Sequence, residues 1–178
     1  MNVRIREYGP KDAQAVISIF REIHEAYKKS KGGYFPDGEI DAVLAWSDEK
    51  ILSYTLGNSS VFVAEVQETK EVVGMAGILT GKSTSLLKSV RGRLHFVKKT
   101  HQGKGIGRML RENTLSEAKS LGFIKLFGYC NDNAVDFHKK FGAKFYPACN
   151  KNSPVCPSVK LNYYEIVLRP SLWNRFRR

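Results

Sequence analysis

The chain is poor in cysteine: three in 178 residues, Cys130, Cys149 and Cys156, with no CxxC pair among them. So small, odd and scattered a set excludes a disulfide framework and argues against a structural zinc site, leaving free thiols in a reducing compartment, with the cytoplasm as the expected location and no metal. Long apolar runs are missing too; none approaches the ~20 residues a membrane-crossing helix needs. The opening residues MNVRIREYG alternate polar with apolar instead of forming an apolar block, so they read as a strand and not as a secretory leader. Internal repeats, low-complexity tracts and linkers are absent, which points to one domain over residues 1–168 followed by a basic tail, 169–178, expected to be mobile. Acidic residues are missing from one whole stretch: none lies between Glu71 and Glu112, whereas Lys82, Lys88, Arg91, Arg93, Lys98, Lys99, Lys104, Arg108 and Arg111 do.

What is present is positive charge. Lys and Arg number 29 against 17 acids, for a formal net charge of +12, and such a chain attracts polyanions. The cationic strip reads as a solvated face, as a contact for a phosphorylated cofactor, or as a contact for nucleic acid.

Periodicity gives the order of elements. A first strand over Asn2–Tyr8 is broken by Gly9-Pro10, and a helix follows from Asp12, its apolar residues Val16, Ile19, Phe20 and Ile23 recurring at three and four. A second helical segment over Asp37–Leu56 carries an expected break near Ser47-Asp48. VFVAEVQ and VVGMAGIL form a hairpin, RLHFVKK a fourth strand, and FIKLFGYC a fifth. Between the fourth and fifth lies a helix beginning near Ile106; a short helix over Asn133–Phe141 and two last strands, AKFYP and VKLNYYEIVL, complete the chain.

The most specific local signal is Gln102-Gly103-Lys104-Gly105-Ile106-Gly107, set directly between a strand and a helix. It is neither the dinucleotide pattern GxGxxG, since the third glycine comes one position early, nor a Walker loop, since no GK[ST] occurs. Glycines let the main chain approach a ligand, and the unpaired N–H groups that open the helix point at an anion.

This segment resembles the Q/R-x-x-G-x-G/A motif of the GNAT superfamily of N-acetyltransferases. The resemblance extends to Val97 at the end of the fourth strand, to Asn131-x-x-Ala134-Val135 and to Phe141-Gly142-Ala143. It implies an α/β (α+β) fold: a mixed, mostly antiparallel sheet of seven twisted strands, flanked by about four helices and splayed between strands 4 and 5. It also implies acetyl-CoA as donor and a primary amine as acceptor, joined by direct attack through a tetrahedral intermediate. Main-chain groups of Val97 and Lys99 would hold the pantetheine arm; Gln102, Gly103, Lys104, Gly105, Ile106, Gly107 and Arg108 would form the pyrophosphate cradle. Asn131 would either bond the cofactor near its reactive end or cap the helix after it.

Catalytic residues are harder to place. Many members carry a carboxylate on the fourth strand as base, yet here the stretch offers Arg91, Arg93 and His95. His95 shares the face of Val97 by alternation and is the candidate base or water-ordering group. The family's usual acid tyrosine falls at His138, which reads either as a proton donor or as a solvated helix residue, with Tyr129 or water as alternatives. Asp37, Glu39, Asp41 and Glu165 are the acids available to meet a cationic amine. Two other readings stand beside the enzyme: a non-catalytic acetyl-CoA sensor on the same fold, and a basic nucleic-acid module suggested by Trp173 and Phe176 among the arginines of the tail. The amine acceptor is unidentified, and assembly as a homodimer is left open.

Overall fold

The computed structural model describes residues 1–29, 36–80 and 88–168; the expectations for the tail, and for part of the loops after the first helix and the third strand, lie outside them. The elements follow in the order β1 (Val3–Glu7), α1 (Ala13–Lys29), α2 (Asp37–Leu44), α3 (Asp48–Leu56), β2 (Ser59–Val66), β3 (Val72–Leu79) and β4 (Ser89–Val97). After these come α4 (Ile106–Ser120), β5 (Lys125–Cys130), α5 (Val135–Lys139), β6 (Lys144–Phe145), β7 (Lys151–Asn152) and β8 (Lys160–Val167).

The α2–α3 break falls where the sequence places it, because the Ser47 hydroxyl accepts from the Lys50 amide at 3.3 Å and caps the new helix. That split makes five α-helices among the described residues where about four were expected. The strand count also differs. Among the described residues eight strands form, not seven, because Lys151 and Asn152 in the proline-punctuated loop pair with Leu161 and Lys160, a contact with no periodic signature.

The sheet runs β1-β2-β3-β4-β5-β8-β6, with β7 on β8, and is antiparallel except between β4 and β5. Those two are parallel and pair only over Ser89–Arg91 with Lys125–Phe127, after which they diverge. The expected splay is thus present, and β4 from Gly92 to Val97 has no β5 partner. Helices cover both faces. On one face α1 sets Val16, Ile19, Phe20 and Ile23 against Val63, Val72 and Met75; on the other α4 sets Ile106 and Leu110 against Ala64, Val73, Ala76 and Val97. Among the described residues no helix is long and apolar enough to cross a membrane.

One irregularity in β4 shapes the site. Met75 pairs with Phe96 but Gly77 with Arg93, so a single residue of β3 faces both Leu94 and His95. Leu94 takes φ 57°, the left-handed conformation of a β-bulge. The bulge reverses the alternation: Gly92, His95 and Val97 face α4, whereas Arg93 and Phe96 face α1 and α3.

Candidate active site

Two cavities meet where β4 and β5 part. The larger, about 800 Å³, is a groove running over Val97, Gln102, Gly103, Gly105, Gly107 and Arg108 to Ala134, Phe137 and Phe141. The smaller, about 190 Å³, lies deeper, between α1, β4 and the segment after β7. His95, Ala134 and His138 line both.

The groove is floored by the glycine turn. Gly103 at φ +76° and Gly105 at φ +82° are left-handed, and a Cβ on either would meet no protein atom within 4 Å. The turn is therefore bare main chain facing open space, and Gly105 caps α4 with no side chain to satisfy the first amides. The residues expected to form this cradle separate in the structure. Gly103, Gly105, Gly107, Arg108 and Gln102 line the groove; the Ile106 side chain is buried in the core, and Lys104 is exposed outside the lining. Gln102 donates to the Val97 carbonyl at 3.0 Å, tying the turn to the strand end, and the Lys99 amide donates to Glu22 at 2.9 Å. Asn131 precedes a 3₁₀ turn over Asp132–Ala134 without a side-chain cap and lines the smaller cavity.

The junction is built from neutral rings around one buried cation. His95 Nε2 donates to the Gly107 carbonyl at 2.8 Å, which leaves Nδ1 an acceptor, enclosed and without a partner among the described residues. Burial, with Arg111 and His138 adding to it, holds His95 well below the ordinary histidine range. His138 is buried, not solvated. It stacks on Tyr164 with centroids 4.1 Å apart, and its Nδ1 accepts from Arg111 Nη2 at 3.2 Å. Burial first and Arg111 second push it down to about 3, so at neutral pH its free Nε2–H is a hydrogen-bond donor and not an imidazolium acid.

Arg111 itself is 2% exposed. It donates to His138 and to the Tyr164 hydroxyl, each at 3.2 Å, and forms no ion pair among the described residues. Two strand glycines make room for this cluster: a Cβ on Gly92 would lie 3.3 Å from Arg111 Nη1, and one on Gly128 would lie 2.6 Å from the Tyr164 hydroxyl.

Sequence reasoning missed Arg111, Tyr164 and His24. His24 Nδ1 donates to the Phe20 carbonyl at 2.7 Å, so its Nε2 is an acceptor, and burial lowers its pKa. It lines the smaller cavity. Its spacing of four from Phe20 on the apolar stripe of α1 is the signal that could have placed it inside; its approach to Phe96 of β4, with ring centroids 6.2 Å apart, has none.

The acids expected to meet a cationic amine are engaged elsewhere. Glu39 accepts from Ser158, Asp41 pairs with Lys28 at 2.6 Å, and Glu165 with Lys125 at 2.8 Å. Asp37 has no described side chain.

Comparison with known proteins agrees with this architecture. The profile of the acetyltransferase (GNAT) family matches residues 20–143. Among curated protein sequences none matches the chain. Similar solved structures include an N-acetyltransferase from Staphylococcus aureus Mu50, at 19% identity and TM-score 0.68 over 95% of this chain and 100% of that one. Others are the PaiA N-acetyltransferase of Thermoplasma acidophilum in complex with coenzyme A (18%, 0.69, 94% and 99%) and a phosphinothricin acetyltransferase of Sinorhizobium meliloti in complex with AcCoA (17%, 0.66, 97% and 95%). With the parted β4 and β5, the glycine turn opening α4 and a family profile that spans both, the chain belongs to the acetyltransferase (GNAT) family.

Proposed function

We propose that the protein is an acetyl-CoA-dependent N-acetyltransferase acting on a primary amine. The observation that carries this is the continuous path from the bare glycine turn, along the groove, to the gap between β4 and β5. The groove's turn fits a diphosphate: open left-handed glycines, the unpaired first amides of a fifteen-residue helix, and Arg108 and Lys104 beside them. Gly103, Gly105, Gly107 and Arg108 would hold the diphosphate by main-chain amides. Val97 and Lys99 would border the arm that follows, and Asn131 would stand near the reactive end.

Bound there, acetyl-CoA would supply the activated acyl group: the neutral amine's nitrogen would add to the thioester carbon, and collapse of the resulting tetrahedral intermediate would then break the C–S bond and release the thiolate. A main-chain N–H of β4 near Val97 would stabilise the tetrahedral oxyanion. His95 and His24 line the smaller cavity, and His95, neutral and held well below the ordinary histidine range, is our choice for orienting the amine or relaying its proton to water instead of keeping it. His138 would act through its Nε2–H and through Arg111, whose charge stabilises the departing thiolate.

Titration calorimetry with coenzyme A tests the reading. Binding is expected for the native chain and is expected to weaken by at least about tenfold in Gly105→Val, where a β-branched residue must adopt φ > 0 and covers the bare amides. Unchanged affinity in that variant, or no heat with the native chain, overturns the assignment. Binding without thiol release on any amine supports the sensor reading instead, which the lack of a carboxylate among the described residues at the junction favours.

A further inference from the structure

The smaller cavity has the wrong charge for a polycation. No carboxylate lines it among the described residues, yet Arg91, Arg93 and Arg111 all do. These cations crowd one another. Arg91 lies 5.3 Å and the Lys151 ammonium 4.1 Å from the same Tyr129 ring, and Lys151 is pushed down by burial and then by Arg91. Arg93 is anchored, donating to the Tyr54 carbonyl and lying 4.8 Å from that ring. Arg111 is held by neutral partners, His138 and Tyr164, and Arg91 lies on the Tyr129 ring, so neither meets a carboxylate among the residues described in this cavity. The Nε atoms of both are enclosed and without a partner among the described residues. A desolvated guanidinium with an unused N–H is unfavourable unless an anion completes it.

The opposite wall is apolar, built from Phe20, Tyr27, Tyr54, Phe96 and Leu161. At about 190 Å³ the space falls below the roughly 300–1,000 Å³ of drug-sized sites.

We infer that the acceptor is a small anionic amine: a primary amine whose carboxylate or other oxyanion pairs with Arg91 and Arg111 while its apolar part packs on the aromatic wall. Guanidinium forks suit planar oxyanions, and burial makes the pairing selective. Polyamines are excluded by like charge. This inference rests on reading the smaller cavity as the acceptor site.

Matched pairs decide it. Coenzyme A binding is measured first; its failure sinks the acetyl-transfer reading, and this inference with it. Thiol release is then followed with L-phenylalanine against phenethylamine, L-methionine against 3-(methylthio)propylamine, phosphoethanolamine against ethanolamine, and spermidine. The acid-bearing member is expected to have a kcat/KM at least about tenfold higher, a preference that Arg91→Gln reduces to within about threefold. Independently of turnover, benzoate is expected to raise the melting temperature of the protein saturated with coenzyme A by about 2 °C or more, and less in Arg91→Gln. Saturation fills the diphosphate cradle, so the shift reports the second site. A better rate for the decarboxylated amines or spermidine overturns the inference. So does the absence of an anion-dependent shift when no pair turns over.

Discussion

A histidine that is kept neutral in the fold makes stability depend on pH in a defined direction. His138 is held at about 3 against an ordinary value of 6.5, and His95 and His24 are lowered as well. Below pH 6.5 the unfolded chain binds protons that the folded chain refuses, so stability is full above that value and is lost as the pH falls toward the folded pKa. Each such group contributes a slope of up to about 1.4 kcal/mol per pH unit. Urea unfolding between pH 6.5 and 5 is expected to show this loss, and His138→Asn is expected to remove one group's share of the slope. The ion-paired carboxyl of Asp12 starts from 3.8 and is lowered further, so it titrates below that window. An unchanged slope would mean that His138 is protonated in the native state.

At the scale of an element, glycines that look alike in the sequence do different work. Gly128 lies in β5 where its missing Cβ leaves room for Tyr164, and an alanine there would meet the hydroxyl at 2.6 Å and the ring at 2.7 Å. Tyr164 is 2% exposed and has nowhere to turn. Gly128→Ala is expected to destabilise by about 1–3 kcal/mol, displacing Tyr164 and with it Arg111. Gly103→Ala meets open space and is expected to cost only the left-handed strain, about 1 kcal/mol, while weakening coenzyme A binding. Thermal melting and calorimetry on the two variants separate the effects, and equal losses of stability would contradict this division. The bulge at Leu94 belongs here as well. Plain alternation puts Arg93 with His95; the extra residue sends Arg93 to the α3 side and His95 to α4, so one strand furnishes both cavities.

For the molecule as a whole, the sheet is two halves joined over three pairs of residues. Amides of Gly92–Val97 on the open side of β4 lack a strand partner, so hydrogen exchange there is expected to outpace that of Ser89–Arg91. Coenzyme A is expected to slow it, because the arm would run alongside β4. Exchange unaltered by a saturating ligand would place the arm elsewhere.

Much of this was legible in the amino-acid order, and for a local reason. The glycine turn, the break near Ser47, the alternation of β1 and the β-branched runs of β2 and β3 depend on neighbours within a few residues, and such patterns survive in one dimension. Family membership follows from the same local segments. The tertiary structure alone decided the rest: that Arg111 of α4 comes to lie beside His138 and Tyr164, that Leu94 bulges, that Lys151–Asn152 form a strand, and that Glu39, Asp41 and Glu165 are occupied by Ser158, Lys28 and Lys125. Each is a contact between residues far apart in the chain, set by strand register and by which charges the core can enclose, and neither quantity is written in any short stretch of sequence.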